Sequence, residues 1–332
     1  MTRTKFIVGT RGSALARWQT DHVTSMVRAA HATQGRELDV EVRVITTQGD
    51  TSLAERLVGQ IEKGFFTAEL EAELRTGGID WAVHSLKDLP TRLPDDLDVA
   101  AVLPRVRPSD LLLVRAEAFR DRGASVLPLV DGARVGTSSL RRDAQIKTFS
   151  PTSASQPLRG NVPTRVEKLR AGTYEAIVLA GAGVTRLGLN LDGFRVIELD
   201  PRRWQPAPGQ GSIAVEARAN DPEVGPVLRA IDDAASRAAC SLERRFLRVL
   251  EGGCATPFGA HIDHTSSDAR AHLGRAGDDG LWRTVTVALP APVDAALDAL
   301  VDDDFIHRAL AALANASKES PHDDVHALWR PL

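Results

Sequence analysis

The chain has 332 residues, 43% of them hydrophobic and 26% charged, with a formal net charge of −3. That balance belongs to a globular protein long enough for two or three domains with clefts between them, and it excludes a disordered chain. The slight acidity gives no global attraction to nucleic acid or to an acidic membrane, and no run approaches the roughly 18 apolar residues of a spanning helix. The N-terminus meets Gly9, Arg11 and Ser13 before an apolar core can form, so it does not read as a secretion signal, and a cytoplasmic protein with reduced thiols is expected.

In chain order, FIVG reads as a short buried strand. SALARWQTDHVTSMVRAA reads as a helix with Ser13 at its N-cap and Leu15, Trp18, Val23, Met26 and Val27 turned inward. DVEVRVI then alternates with period two, which completes a parallel βαβ unit. WAVHSL, DVAAVL and DLLLVR supply further short strands, and both ARVGTSSLRRDAQI and EAIVLAGAGVTRLG run strand, glycine, helix. Repeated alternation of this kind points to α/β domains with helices over mostly parallel sheets.

Two proline-rich stretches, PRVRPSD at 104–110 and RRWQPAPGQG at 202–211, suit crossings between two lobes. The expected division is lobe one at 1–104 and 208–228, lobe two at 105–207, and a smaller C-terminal domain at 229–332. That last domain opens on DDAASRAACSLERRFLRVL, where Leu242, Phe246 and Leu250 fall at helical spacing, and it includes the acidic, alanine-rich segment 290–305.

Two cysteines are present. Cys240, on the amphipathic stretch, reads as inert packing. Cys254, in LEGGCATPFG, lies between glycines and Pro257, which places it on an exposed loop after a helix where a thiol is reachable.

Only Lys5, Lys63, Lys87, Lys147, Lys168 and Lys318 among the 41 basic residues are lysine; the rest are arginine. Most arginines reflect composition, but several fall at strand ends. VGTRGSALAR and VGTSSLRRDA echo each other: Gly-Thr follows a strand, then serine and arginine stand where a helix begins, the arrangement of an anion site. Arg11 lies in the first echo and Arg141 and Arg142 in the second; Arg159 and Arg165 flank LRGNVPTR, and Arg186 follows IVLA. Guanidinium forks match carboxylates, so the expected ligand is polyanionic, bound in two cradles across a cleft. A single carboxylate enters this company, Asp88 of HSLKDLP, suited to hold a developing positive charge or to move a proton. From the residues alone, three readings stand: a cleft enzyme for polycarboxylates; a two-lobed solute-binding protein in which Asp88 is idle; and a hydrolase using Cys254 with His261 and His264, or the pair His322 and His326, against which solvated histidines are the plainer account.

In this order and at these separations, RGSALARWQ, HSLKDLPT, VGTSSLRR, LRGNVPTR, PGQG and EGGCATPFG resemble the porphobilinogen deaminase (hydroxymethylbilane synthase) family over about residues 5 to 262. Beyond that the likeness fades to a domain of similar length. The resemblance implies two periplasmic-binding-protein-like lobes with mostly parallel sheets and a small α+β C-terminal domain. It implies a dipyrromethane cofactor, two linked pyrroles bearing acetates and propionates, joined to Cys254 through a thioether. The implied reaction is a transferase reaction of tetrapyrrole (heme) biosynthesis: stepwise condensation of four porphobilinogen molecules with loss of ammonia, then hydrolytic release of hydroxymethylbilane. Asp88 is then the catalytic carboxylate, stabilising the azafulvene cation that remains when ammonia leaves. Ser13, Lys87, Asp88, Thr137, Ser139, Arg141, Arg142, Arg159, Asn161, Arg165 and Gln210 hold the cofactor and growing chain. Arg11, Gln19, Arg165, Arg186 and Lys63 meet the substrate, Arg11 and Gln19 also helping to deliver protons. Residues 49–66 fall where the family has a lid, with Gly59 where a lysine is common, and ATPFG after the cysteine departs from the usual pattern. No metal, nucleic acid or membrane is implied, and one chain that holds a full site suggests a monomer.

Overall fold

The computed structural model describes residues 3–47, 67–251, 257–263, 268–290, 297, 301–316 and 327–332. The chain divides into two units, Met1–Val106 with Gly211–Arg237, and Arg107–Gln210 with Ala238–Leu332.

In the first unit, strands β1 (Lys5–Thr10), β2 (Asp39–Val44), β3 (Trp81–Ser85), β4 (Leu97–Val102) and β10 (Ile213–Arg218) form one five-stranded sheet in the order β2-β1-β3-β10-β4. β1 runs parallel to β2 and β3, while β10 runs antiparallel to both β3 and β4. Phe6, Val8, Trp81, Val83, Ile213 and Val215 pack on one face against Val23 and Val27 of helix α1 (Ala14–Ala32) and Val224, Val227 and Leu228 of a later helix, Val224–Arg229. Leu70 and Leu74 of helix α2 (Ala68–Thr76) cover the other face with Ile79, Ala82 and Leu97.

Helix α1 corrects one expectation. Its buried stripe is Ala16, Gln19, Thr20, Val23, Thr24, Val27 and His31, whereas Trp18 is 37% exposed and stacks on His22. At about 100° per residue, position 18 lies roughly half a turn from Val27, so an inward Trp18 was incompatible with an inward Val27. The apolar letters misled because the true inner face begins with small and polar residues.

In the second unit, β5 (Asp110–Arg115), β6 (Arg134–Gly136), β7 (Ala154–Gln156), β8 (Ala176–Ala180), β9 (Phe194–Leu199) and β14 (Trp329–Pro331) form a six-stranded sheet in the order β14-β9-β5-β8-β6-β7. β6 is parallel to β7 and β8, and β5 is antiparallel to its neighbours β8 and β9. Each unit therefore has a mixed sheet, with two of four pairings parallel in the first and two of five in the second, where β14 also runs antiparallel to β9. In each, the strand on which the chain enters from the other unit, β10 or β5, is reversed against both of its neighbours. Both faces of β5 are covered. Leu112 and Val114 join Val178, Ile146, Phe149 and Trp204, while Leu111 and Leu113 join Ile177, Leu179, Val166 and Leu169. That is why DLLLVR is continuously apolar.

The same unit contains a three-stranded antiparallel sheet, β11 (Phe258–Asp263), β12 (Arg270–Ala276) and β13 (Trp282–Ala288). With Leu242 and Phe246 of helix Ala234–Glu251 and Ile306, Leu310 and Leu313 of helix Asp303–Asn315, it has its own core, the small α+β body. Cys240 is buried, as expected. No helix among the described residues is long and apolar enough to cross a membrane.

Candidate active site

Side chains at the carboxyl ends of neighbouring parallel strands share one sheet edge, because the strands run the same way. In the first unit, Arg11, Gly12 and Ser13 follow β1, and a 3-10 turn, Leu86–Asp88, follows β3. Ser13 is the N-cap of α1, its hydroxyl accepting from Ala16 N–H at 3.3 Å. Gln19 is buried, and its amide donates to the Ser85 hydroxyl at 3.0 Å, tying α1 to the end of β3. Leu86 and Leu89 are buried on either side of a half-buried Lys87 and an exposed Asp88. Among the described residues the Asp88 carboxylate makes no ion pair or hydrogen bond. Arg11 is half-buried. The first unit thus brings Arg11, Ser13, Gln19, Lys87 and Asp88 to one edge.

The second unit repeats the pattern. Thr137 and Ser139 follow β6 and open helix α3 (Leu140–Phe149), where Ser139 is the N-cap and accepts from Arg142 N–H at 3.4 Å. The Thr137 hydroxyl accepts from Ser139 N–H at 3.2 Å. Both echoed motifs therefore cap helices with serine. Arg159, Gly160 and Asn161 follow β7, and Ser138 clasps that loop by donating to Leu158 C=O at 2.9 Å and accepting from its N–H at 3.1 Å. Asn161 caps helix Val162–Arg170, its Oδ1 accepting from Thr164 N–H at 3.0 Å, and Arg165 Nε donates to Gly160 C=O at 2.7 Å. Arg159 is half-buried, and its guanidinium has no partner among the described residues. Arg186 lies on helix Gly181–Leu187 after β8, where burial pushes its guanidinium down to about 10.

Arg141 and Arg142 are both buried, gathered on Asp110, the residue that opens β5 at this same edge. Asp110 stands opposite Ala180, the last residue of β8. Arg142 grips Asp110 through Nε (3.0 Å) and a terminal nitrogen (2.6 Å) and also donates to Val178 C=O at 3.1 Å. Arg141 donates to Asp110 at 3.0 Å and to Gln205 C=O at 2.7 Å. Gln210 is buried as well, its amide donating to Pro108 C=O at 2.6 Å and Asp110 at 2.8 Å. Burial alone would raise Asp110, yet the charges of Arg142 and Arg141 with their hydrogen bonds hold it far below the usual carboxylate range. Burial, and then the neighbouring Arg142, lower Arg141, with Asp110 opposing.

Asp110, Ser138, Trp204 and Gln205 escaped the sequence reading. A charged residue opening an otherwise apolar strand was the one signal for Asp110. Lys63, Gly59, Cys254, His264, His322 and His326 lie outside the described residues. His261 is buried on β11, its ring stacked on His272 at 6.0 Å. Among the described residues no group of three His, Cys, Asp or Glu is disposed to hold a metal ion.

Each of the two α/β units collects hydroxyls and cations at the carboxyl edge of its parallel strands, the chemistry that suits carboxylates. Residues 6–225 match the family described as porphobilinogen deaminase, dipyromethane cofactor binding domain, and residues 237–271 match porphobilinogen deaminase, C-terminal domain. The chain belongs to the porphobilinogen deaminase family. It is 45% identical over 271 residues to the porphobilinogen deaminase of Roseiflexus sp. (strain RS-1), covering 82% of this chain and 85% of that one. To the porphobilinogen deaminase of Nostoc sp. (strain PCC 7120 / SAG 25.82 / UTEX 2576) it is 43% identical over 257 residues, covering 77% of this chain and 76% of the relative. Among solved structures, the periplasmic VFT2 domain of Bordetella pertussis BvgS aligns at TM-score 0.41 and 15% identity, over 69% of this chain and 86% of that chain.

Proposed function

We propose that this chain is a transferase that condenses four porphobilinogen molecules stepwise on a dipyrromethane joined to Cys254, losing one ammonia per unit added, and then releases hydroxymethylbilane by hydrolysis. The reading includes a monomer working in the cytoplasm. It is supported by the family to which the chain belongs and by the donors at the two sheet edges.

The residues present fit a carboxylate-bearing group. Arg159 is a half-buried guanidinium with no carboxylate partner among the described residues, Thr137, Ser139 and Asn161 stand on the adjoining strand ends, and Arg165 lies on the helix that follows Asn161. These, with Arg141 and Arg142 in the second unit and Ser13 and Lys87 in the first, would hold its acetates and propionates by charge-assisted hydrogen bonds. When bound, the cofactor supplies the nucleophilic pyrrole carbon to which substrate is added. Gln210 serves the site from behind, through Asp110 and Pro108.

Arg11, Arg165, Arg186 and Lys63 bind the carboxylates of incoming porphobilinogen, and Gln19, locked to Ser85, keeps the Arg11–Ser13 turn in register with the end of β3. As ammonia leaves the substrate, positive charge develops on its ring, and the Asp88 carboxylate stabilises that charge and accepts the pyrrole N–H. The observation that carries this reading is the state of Asp88: an exposed carboxylate without a partner among the described residues, beside Lys87 on an edge that also holds Arg11.

Asp88→Asn tests it. Intact mass should still show two pyrrole units on Cys254, while turnover falls by about 100-fold or more, in the range expected for removing a charge that acts in the transition state. Normal turnover in Asp88→Asn takes the carboxylate out of the mechanism, and an unmodified yet fully active wild-type chain refutes the tether.

A further inference from the structure

Asp110 is fully buried, out of reach of solvent, and its carboxylate accepts five hydrogen bonds from four residues. Its Oδ2 accepts from Arg141, from Arg142 Nε and from Trp204 Nε1, each at 3.0 Å. Its Oδ1 accepts from Arg142 at 2.6 Å and Gln210 at 2.8 Å. A carboxylate offers about four lone-pair sites, so these donors saturate it and leave it no capacity to take a proton or a ligand. Its function must lie in what it does to the groups around it.

We propose that Asp110 is a positioning residue that fixes the guanidinium groups of Arg141 and Arg142 as one rigid array with a single surplus positive charge, matched to one ligand carboxylate. The proposal rests on the reading above, that these arginines hold a carboxylate of the bound pyrrole chain. Two cations against one anion leave one net charge. Of the five N–H bonds of each guanidinium, Arg142 spends three on Asp110 and Val178 C=O, and Arg141 spends two on Asp110 and Gln205 C=O, so both retain donors for a ligand. Without Asp110 two buried like charges would stand side by side and turn apart. Prepaid alignment of this kind is what makes an anion site tight, because the side chains lose little further freedom when the ligand arrives. Gln210, bridging Asp110 and Pro108 C=O, holds the same array to both ends of the segment Arg107–Gln210.

The test compares charge with volume. Asp110→Asn keeps the volume and removes the charge, and Asp110→Glu keeps the charge. With folding verified by circular dichroism, Asp110→Asn should carry the two-pyrrole adduct, read by intact mass, on fewer than about a tenth of its chains, since one lost charge-assisted contact is worth about 10-fold or more. In the chains that carry it, KM for porphobilinogen should rise about 10-fold with kcat within about twofold. Asp110→Glu should recover most of the loading. Where Asp110→Asn does not fold, Trp204→Phe, which removes one neutral donor and no charge, should raise KM about threefold or more. Full loading with an unchanged KM in Asp110→Asn, equal loss in Asp110→Asn and Asp110→Glu, or an unchanged KM in Trp204→Phe overturns the proposal. Arg142→Gln separates the two ideas. If it loads fully, the carboxylate-binding role of the arginines fails and the proposal falls with it; if it loses the adduct while Asp110→Asn keeps it, the positioning role alone fails.

Discussion

Gly274 lies on β12 under the indole of Trp282, and substituting it should disturb the arginine array from a distance. A Cβ added there would meet Trp282 Nε1 at 2.5 Å, Gln205 Oε1 at 2.6 Å and Trp282 Cε2 at 2.6 Å. Those are the atoms that make the buried bond from Trp282 Nε1 to Gln205 Oε1, 2.7 Å long. A Cβ added at Gly259, on the neighbouring strand, would likewise meet Gln205 C=O at 2.6 Å, so the backbone packs closely on Gln205 from that side too. Overpacking of this kind costs about 1–3 kcal/mol, and a buried donor and acceptor forced apart cost about 1–2 kcal/mol more. Gly274→Ala should therefore lose about 2–5 kcal/mol. At about 2–4 °C per kcal/mol for a unit of this size, the melting temperature should drop by roughly 5–15 °C. Because Gln205 C=O accepts from Arg141, KM should rise more than kcat falls. Gly280, in the following turn, is the control: it has φ +73 and nothing within 4 Å of an added Cβ. Gly280→Ala therefore costs only the left-handed backbone penalty, about 1–2 kcal/mol. Thermal denaturation and steady-state kinetics on both variants check the reasoning, and Gly274→Ala melting at or above Gly280→Ala refutes it.

Arg159→Ala should leave stability within about 0.5 kcal/mol of wild type, since the guanidinium has no protein partner among the described residues, and should weaken substrate or cofactor retention by about 10-fold or more. Melting temperature against KM and adduct mass checks it; a large stability loss with normal kinetics would make Arg159 a structural residue. The Glu175 carboxyl, bonded by the Arg134 guanidinium and backbone N–H, is held down to about 2. A carboxylate lowered in the folded state stabilises it above the ordinary value near 4.5 and stops doing so as pH falls through about 2. The melting-temperature gap between wild type and Glu175→Gln should accordingly be constant above about pH 5 and close toward pH 2. A gap that widens on acidification contradicts the assignment.

Much of this protein is written in local patterns. Ser13 and Ser139 each cap a helix, Asn161 caps another, and the alternation of strand and helix places Arg11, Lys87, Asp88, Arg159 and Arg186 at strand ends, because periodicity and capping involve residues within a few positions of each other. The six ordered motifs carried the family with them. What local pattern could not supply was the direction of a side chain. Trp18 looked like core and is exposed, since the inner face of α1 depends on what the sheet offers it.

Asp110 read as part of a proline-rich crossing. Its partners lie 31, 32, 94 and 100 residues away in sequence, so the buried charge cluster exists only once three separate segments have come together. The sequence by itself determined the α/β class, the capped strand ends and the residue types suited to a polycarboxylate, all consequences of short-range stereochemistry. Tertiary structure alone decided which arginines stand open to a ligand and which are gripped by a carboxylate, because that choice follows from long-range packing and the electrostatics of burial.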